Sequence, residues 1–286
     1  MTIRLAIPNK GRLYEPAVEL LEDSGIGLSN GGPRQLFAET NIPDLEVIFV
    51  RTQDIPSIVE TGAAELGITG HDLVLESECD VEEILDLGFG KASMVVAARE
   101  SSKIDSIEDL EDGMEVATEF PNLTRDYFEE RGIDVRITEV SGATEITPFI
   151  GVVDLIVDLT STGTTLRSHS LEVIETVFET SVRLIANPQS LEKEKDMISE
   201  IRMALESVIQ ARPRKLVMMN VPEDKVAAIK NVMPGMSGPS VSKVEGTNLM
   251  AVQAVVQASD VYELVNSVKE EGARDVLVIP IERVIP

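Results

Sequence analysis

The sequence of 286 residues has one cysteine, two histidines and no tryptophan. A single thiol, Cys79, excludes an internal disulfide and a thiolate metal cage, and His71 and His169 are too few and too separated for most zinc sites. Basic residues are scarce: 25 lysines and arginines stand against 50 acids, and the resulting net charge of -25 repels nucleic acid and anionic membranes. No apolar run approaches the roughly 18 residues of a membrane span. The opening MTIRLAIPNKGR carries neither a hydrophobic leader nor a cleavage site, so a cytoplasmic location is expected. A Walker lysine, a G-x-G-x-x-G turn and a credible Ser/His/Asp set are also missing.

What is present is a core-forming chain, 43% hydrophobic, in which strand-like apolar runs alternate with helix-like periodic stretches, the signature of α/β folds. IRLAIP, LEVIFVR and ELGITG read as strands of a first lobe; ASMVVAAR, MEVATE, DVRITEV and VVDLIVDL as strands of a second; SVRLIANP and a helix over Leu191 to Ala211 return the chain to the first. The basic, proline-containing ARPRK reads as a linker, after which the order changes to βαββαβ, a ferredoxin-like module. The domains are therefore expected at 1–92 with 182–212, at 93–181, and at 213–286. With 3% aromatics, the last module lacks the stacking platform of an RNA-binding sheet and reads as a small-ligand sensor or an assembly unit.

The most informative stretch is DLTSTGTTL, Asp158 to Leu166, which sets Thr160, Ser161, Thr162, Thr164 and Thr165 around Gly163 where a buried strand ends. Such a loop reads either as an ordinary Ser/Thr-rich turn or as an anion cradle, with backbone N–H groups as donors, glycine allowing close approach, and hydroxyls adding donors without charge. Asp154 and Asp158 share a strand face by parity, and carboxylates beside a phosphate cradle suit a ligand that also carries vicinal hydroxyls, as a ribose 5-phosphate does. The first acid in the chain is Glu15, which leaves Arg4, Lys10 and Arg12 as a basic opening and a local anion site.

DLTSTGTTL resembles the phosphoribosyl-diphosphate loop of the ATP phosphoribosyltransferase family, the first enzymes of histidine biosynthesis. IPNKGRL, VRTQDIPSIVETGAAELGITGHDLV, ATEFPNLTRDYF and SGATEITP look like other blocks of that family in the same order, and MPGMSGPSV within the βαββαβ segment looks like the histidine-sensing, ACT-like module of its long form. The resemblance implies a two-lobed catalytic part of the periplasmic-binding-protein-like (type II) α/β class plus a C-terminal ferredoxin-like domain. It implies that ATP and phosphoribosyl diphosphate are joined, adenine N1 attacking the anomeric carbon and pyrophosphate leaving, with Mg²⁺ as cofactor, histidine as inhibitor, and dimers combining into hexamers.

In chemical terms, Lys10, Arg12 and Arg51 lie at strand C-termini, where α/β crevices form, and suit a polyanion; with Asp154 and Asp158 they are the expected catalytic set. Gly11, His71, Asn122, Glu145, Thr160, Ser161, Thr162, Gly163, Thr164, Thr165 and Leu166 are the expected substrate contacts, with no metal ligand assigned. The resemblance adds Asn220, Met236, Ser240 and Asp275 as regulatory contacts, and Asn220 departs from an acid that would pair with bound histidine. The competing reading is a two-lobed binding or effector-sensing protein without turnover.

Overall fold

The computed structural model describes residues 2–29, 36–233 and 238–285, and in it the apolar runs become strands of three sheets. Ile3–Pro8 buries Ile3, Leu5, Ala6 and Ile7, and a run apolar on both faces suits a central parallel strand. It pairs in parallel with Leu45–Val50 and Leu66–Gly70. Across the first sheet the order is Leu28–Ser29, Phe37–Thr40, Leu45–Val50, Ile3–Pro8, Leu66–Gly70, Val182–Ala186 and Glu82–Asp86. Gly67 fixes the packing here. A Cβ at that position would fall 2.5 Å from Ile55 Cγ2 and 2.9 Å from Val59 Cγ2, so glycine is what lets the Ile55–Glu60 helix lie this close to the sheet.

The second sheet runs Leu171–Thr180, Ala92–Arg99, Leu155–Thr160, Glu115–Thr118, Arg136–Glu139. The helix Pro121–Glu130 buries Tyr127 and Phe128 over one face, with Met94, Val96, Val116, Leu155 and Val157; Leu166 and Val153 pack on Val95, Ala97 and Ile156 on the other. The chain crosses between these lobes twice, after Asp86 and again between Thr180 and Val182, which gives the two-lobed periplasmic-binding-protein-like (type II) architecture.

The third sheet is antiparallel. Its strands Arg214–Pro222, Ser240–Lys243, Leu249–Gln257 and Arg274–Pro280 lie in the order second, third, first, fourth, and helices Val226–Val232 and Val261–Glu270 bury Ile229, Leu264 and Val268 on one face. This is the ferredoxin-like βαββαβ arrangement. By compactness, one unit runs to Glu22 and from Ile26 to Ile198, and the other takes Asp23–Gly25 and the chain from Ser199 onward. No helix among the described residues is long and apolar enough to cross a membrane.

Several elements differ from the sequence reading, each for a local reason. The helix read over Leu191 to Ala211 is two, Pro188–Lys193 and Lys195–Ala211; the first is set by Pro188 and by Asn187, whose side chain accepts from the Gln189 and Ser190 amides. Where the βα alternation calls for a helix after Ala92–Arg99, Ile107–Asp109 forms a single 3-10 turn held by a Ser106/Asp109 capping box. Leu171–Thr180 escaped the reading because two bulges, between Val173 and Glu175 and between Thr176 and Phe178, break its period-2 alternation. Its apolar residues therefore lose the pattern that marks a strand.

Candidate active site

The carboxyl edge of the first sheet carries the bases. Pro8 lies opposite Val50 in register, so the turn holding Lys10, Gly11 and Arg12 emerges beside Arg51. All three cationic side chains belong to exposed residues. Gly11 sits at φ +83 with no atom near a hypothetical Cβ, so the left-handed backbone and not crowding calls for glycine. Arg4, the other base of the opening, lies inside the strand, where its amide donates to Glu65 Oε2.

The hydroxyl loop stands at the facing edge of the second sheet. Leu155–Thr160 delivers it, Gly163 turns it at φ +67, and the short helix Thr164–Ser168 leaves it. The loop is shaped from within: the Gly163 amide donates to Thr160 Oγ1 at 2.9 Å, and the Thr162 and Thr164 hydroxyls meet at 2.8 Å. Arg167, missed in the sequence, folds back to donate to the Thr162 carbonyl at 2.7 Å, and a Cβ on Gly163 would lie 2.8 Å from its Nη1. Arg12 Nη1 donates to Ser161 Oγ at 3.3 Å, so the two edges meet at this point.

Behind the loop the charge changes sign. Burial, reinforced by the charges of Glu119 and Glu145, pushes Asp158 up to about 6, while its bond to the Leu159 amide and the buried Thr144 hydroxyl pull the other way. Glu119 is likewise raised, by burial first and by Glu145 second. Glu145 lies in a 3-10 turn, Thr144–Ile146, entered through Ala143 at φ 52. Among the described residues, no group of three or more His, Cys, Asp or Glu is arranged to hold a metal by itself.

The other expected contacts are placed differently. Asp154 precedes its strand and accepts the Glu115 amide at 3.0 Å, at the far end of Leu155–Thr160 from the loop. At about 3.3 Å per residue its carboxyl is some ~13 Å along the strand from Asp158, so parity gives the two a face and not a site. Leu166 is buried in the core and its side chain anchors the loop. His71 opens the helix His71–Ser77, its Nδ1 2.6 Å from Glu83 Oε1 and its ring edge-on to Phe178; Arg183 joins Glu83 at 3.2 Å and also pairs with Asp86. Gly70 is the N-cap of that helix, and the buried Asp72 accepts the Thr180 hydroxyl at 2.7 Å. Asn122 donates to the Glu76 carbonyl, while the Asn122 and Leu123 amides donate to the Glu76 carboxylate.

A second candidate site lies in the C-terminal unit: a cavity of about 220 Å³ bordered by Met218, Asn220, Ser240, Gln253 and Asp275. Asn220 Nδ2 donates to Asp275 Oδ2 at 2.9 Å. Asp275 is in the left-handed region at φ 51. Met236 lies outside the described residues.

Comparison with known proteins adds independent findings. Residues 51–207 match the family described as ATP phosphoribosyltransferase, and residues 211–283 match the HisG C-terminal domain. Curated ATP phosphoribosyltransferases are similar along the whole chain: 51% identical for Methanosarcina barkeri (99% of this chain, 100% of the relative) and 50% for Methanothermobacter thermautotrophicus (100% of each). The relative from Methanopyrus kandleri is 52% identical, over 99% of this chain and 100% of its own. Among solved structures, the ATP phosphoribosyl transferase (HisG:HisZ) complex from Thermotoga maritima aligns at 31% identity with a TM-score of 0.62, over 72% of this chain and 99% of the other.

Proposed function

The chain belongs to the ATP phosphoribosyltransferase family, and on that premise we propose which of its groups carry the reaction. The enzyme transfers the 5-phosphoribosyl group from phosphoribosyl diphosphate to N1 of ATP and releases pyrophosphate, the first step of histidine biosynthesis. The N1–C1 bond forms as the bond from C1 to the pyrophosphate oxygen breaks. Adenine N1 already has a free lone pair, so no activated nucleophile is needed at the attacking atom. What the chemistry requires is orientation of two nucleotides, cations for the leaving polyanion and carboxylates for the electron-poor ribose.

The single observation that carries our assignment is the Arg12–Ser161 contact, which joins a basic edge to a hydroxyl loop. Lys10, Arg12, Arg51 and Arg167 meet the pyrophosphate; the loop amides and the hydroxyls of Thr160 to Thr165 hold the 5-phosphate. Asp158, with Glu119 and Glu145 behind it, faces the ribose and accepts from its hydroxyls. Asp154, a strand-end residue bonded to the Glu115 amide, is left out of this set.

Members of this family use a divalent metal. Burial, reinforced by Glu119 and Glu145, holds Asp158 at about 6, and these carboxylates are hard oxygen donors whose charge a divalent cation would relieve. A closed cage is absent among the described residues, which suits Mg²⁺, an ion that keeps waters and substrate phosphates as ligands. Asp158 with Glu119 or Glu145 would hold it, and it would supply charge neutralisation on the departing pyrophosphate.

For the C-terminal cavity we assign histidine as the ligand and feedback inhibition as the consequence. Asp275 provides the anion that neutral Asn220 lacks, one of its oxygens being taken by the Asn220 amide. The open face of the same module is the surface on which a homo-oligomer, dimer and then hexamer, would assemble. The test of the whole reading is direct: purified protein with ATP, phosphoribosyl diphosphate, Mg²⁺ and a pyrophosphatase should develop the N1-substituted adenine chromophore. No signal in the complete mixture, or an equal one with either nucleotide omitted, refutes it.

A further inference from the structure

The seven-residue helix His71–Ser77 belongs by sequence to the first lobe, and its side chains divide between the two. Val74 is buried with Ile55, Val59 and Ile185 of the first lobe; Leu73 packs on the second lobe's core around Phe120 and Phe128. The polar residues follow the same division. Asp72 takes the Thr180 hydroxyl, and His71 faces Phe178. Glu76 sits over the N-terminus of Pro121–Glu130, where Oε1 accepts the Asn122 amide at 2.9 Å and Oε2 the Leu123 amide at 3.0 Å, while Asn122 Nδ2 returns a bond to the Glu76 carbonyl at 3.0 Å.

First-turn amides of a helix have no intrahelical partner and favour an anion. Of this turn, Asn122 is one of the substrate contacts expected from the sequence. In the structure the anion is the protein's own, delivered from the other lobe across 46 positions of chain. Burial raises the Glu76 pKa, and the two amides and Arg125 oppose that shift, so the bonds that seat the carboxylate also favour its charged form. Each oxygen has one amide, a geometry that fixes direction as well as distance.

We propose that Glu76 is a positioning residue: its bidentate grip on the start of the Pro121–Glu130 helix sets the angle at which the second lobe's hydroxyl loop faces the first lobe's bases. The proposal rests on the transfer reaction assigned above, because the phosphoribosyl-diphosphate contacts come from both lobes and must reach the two ends of one substrate molecule together. Leu73 and Val74 supply adhesion without direction, and the carboxylate supplies the direction.

The test compares wild type, Glu76→Gln and Glu76→Ala as full-length enzymes with Mg²⁺ present. Glu76→Ala should raise KM for phosphoribosyl diphosphate about tenfold, equivalent to about 1.4 kcal/mol, with kcat changed less than threefold. Glu76→Gln, which keeps one acceptor, should fall between. A role in stability alone predicts a lower melting temperature and a smaller active fraction with KM unchanged, and that result overturns the proposal. Should Glu76→Ala fail to fold, Asn122→Ala removes the bond to the Glu76 carbonyl together with the one Asn122 accepts from Arg125 and should raise KM two- to threefold. Arg125→Ala, which removes only the second of these bonds, serves as the control, and an unchanged KM in Asn122→Ala again counts against the idea. Wild-type turnover is measured in the same series, so failure of the enzyme assignment is separable from failure of the Glu76 role.

Discussion

The two lobes present opposite chemistry at facing edges. In the first, turns after Pro8 and Val50 offer Lys10, Arg12 and Arg51 as exposed bases. In the second, strand ends offer hydroxyls and backbone amides with three carboxylates behind them, and Asp158 is held at about 6. On the assignment proposed above, the difference amounts to a division of labour: the first wall, with Arg167 from the second, would take the leaving polyanion, and the second the sugar that becomes electron-poor as that anion leaves. Neither wall alone can do both. In an acidic chain of net charge -25 the bases are few, and these three are gathered at one edge.

Removing one charge from each wall should break the division most severely. Arg51→Ala and Asp158→Asn should each lower kcat by about 10²–10³, the size of effect seen when one preorganised electrostatic group is lost, with circular dichroism unchanged. Equal loss in both would mean that departure of pyrophosphate and charge at the ribose contribute alike. Normal rates in both would remove the division altogether.

Asp158 gives the next effect, with the sign reversed for stability. Its folded-state pKa, about 6, lies above the ordinary 3.8, so the native protein binds this proton more tightly than the unfolded chain does. The associated destabilisation is present above pH 6 and is relieved as pH falls from about 6 towards 4. Asp158→Asn mimics the protonated group and should therefore stabilise the fold at pH 7.5, by about 3 kcal/mol at most, read as a raised denaturation midpoint. Turnover of the wild type should decline over the same interval, because the carboxylate is the working form. A destabilised Asn variant would contradict the cause assigned to the raised pKa.

How far these walls were legible in the sequence depended on distance along the chain. The strands Ile3–Pro8, Leu45–Val50, Leu66–Gly70 and Leu155–Thr160 announced themselves by apolar runs, and the bases and hydroxyls followed from being the next residues along. Arg167 was hidden although it is four residues past Gly163, since nothing local says that it folds back onto the Thr162 carbonyl. Glu119 and Glu76 act on partners dozens of positions away, and pairing of that kind has no period or spacing to reveal it. Asp154 misled for the opposite reason: parity along a strand was legible, but the strand's first residue, Leu155, was not.

The C-terminal cavity sharpens the contrast because its polar pair is self-contained. Asp275→Ala removes the carboxylate that accepts the Asn220 amide, and we expect the histidine concentration for half-inhibition to rise about tenfold, a loss typical of one charge-assisted bond. Unchanged inhibition would move the sensor away from this cavity.

The smallest expected effect is the most specific to the facing walls. Arg12 and Ser161 come from different lobes and meet through one exposed bond of 3.3 Å, worth about 0.5–1 kcal/mol by itself. Arg12→Ala, Ser161→Ala and the double variant form a cycle on kcat/KM for phosphoribosyl diphosphate. If the bond between the guanidinium and the hydroxyl persists while Arg12 holds the pyrophosphate and Ser161 the 5-phosphate, the first substitution should weaken the effect of the second, leaving a coupling of about 0.5–1 kcal/mol. Residues that no longer touch one another once substrate is bound would instead add to within about 0.3 kcal/mol. Additivity would leave each wall acting independently, since the Arg12–Ser161 contact would then have no counterpart in the transition state.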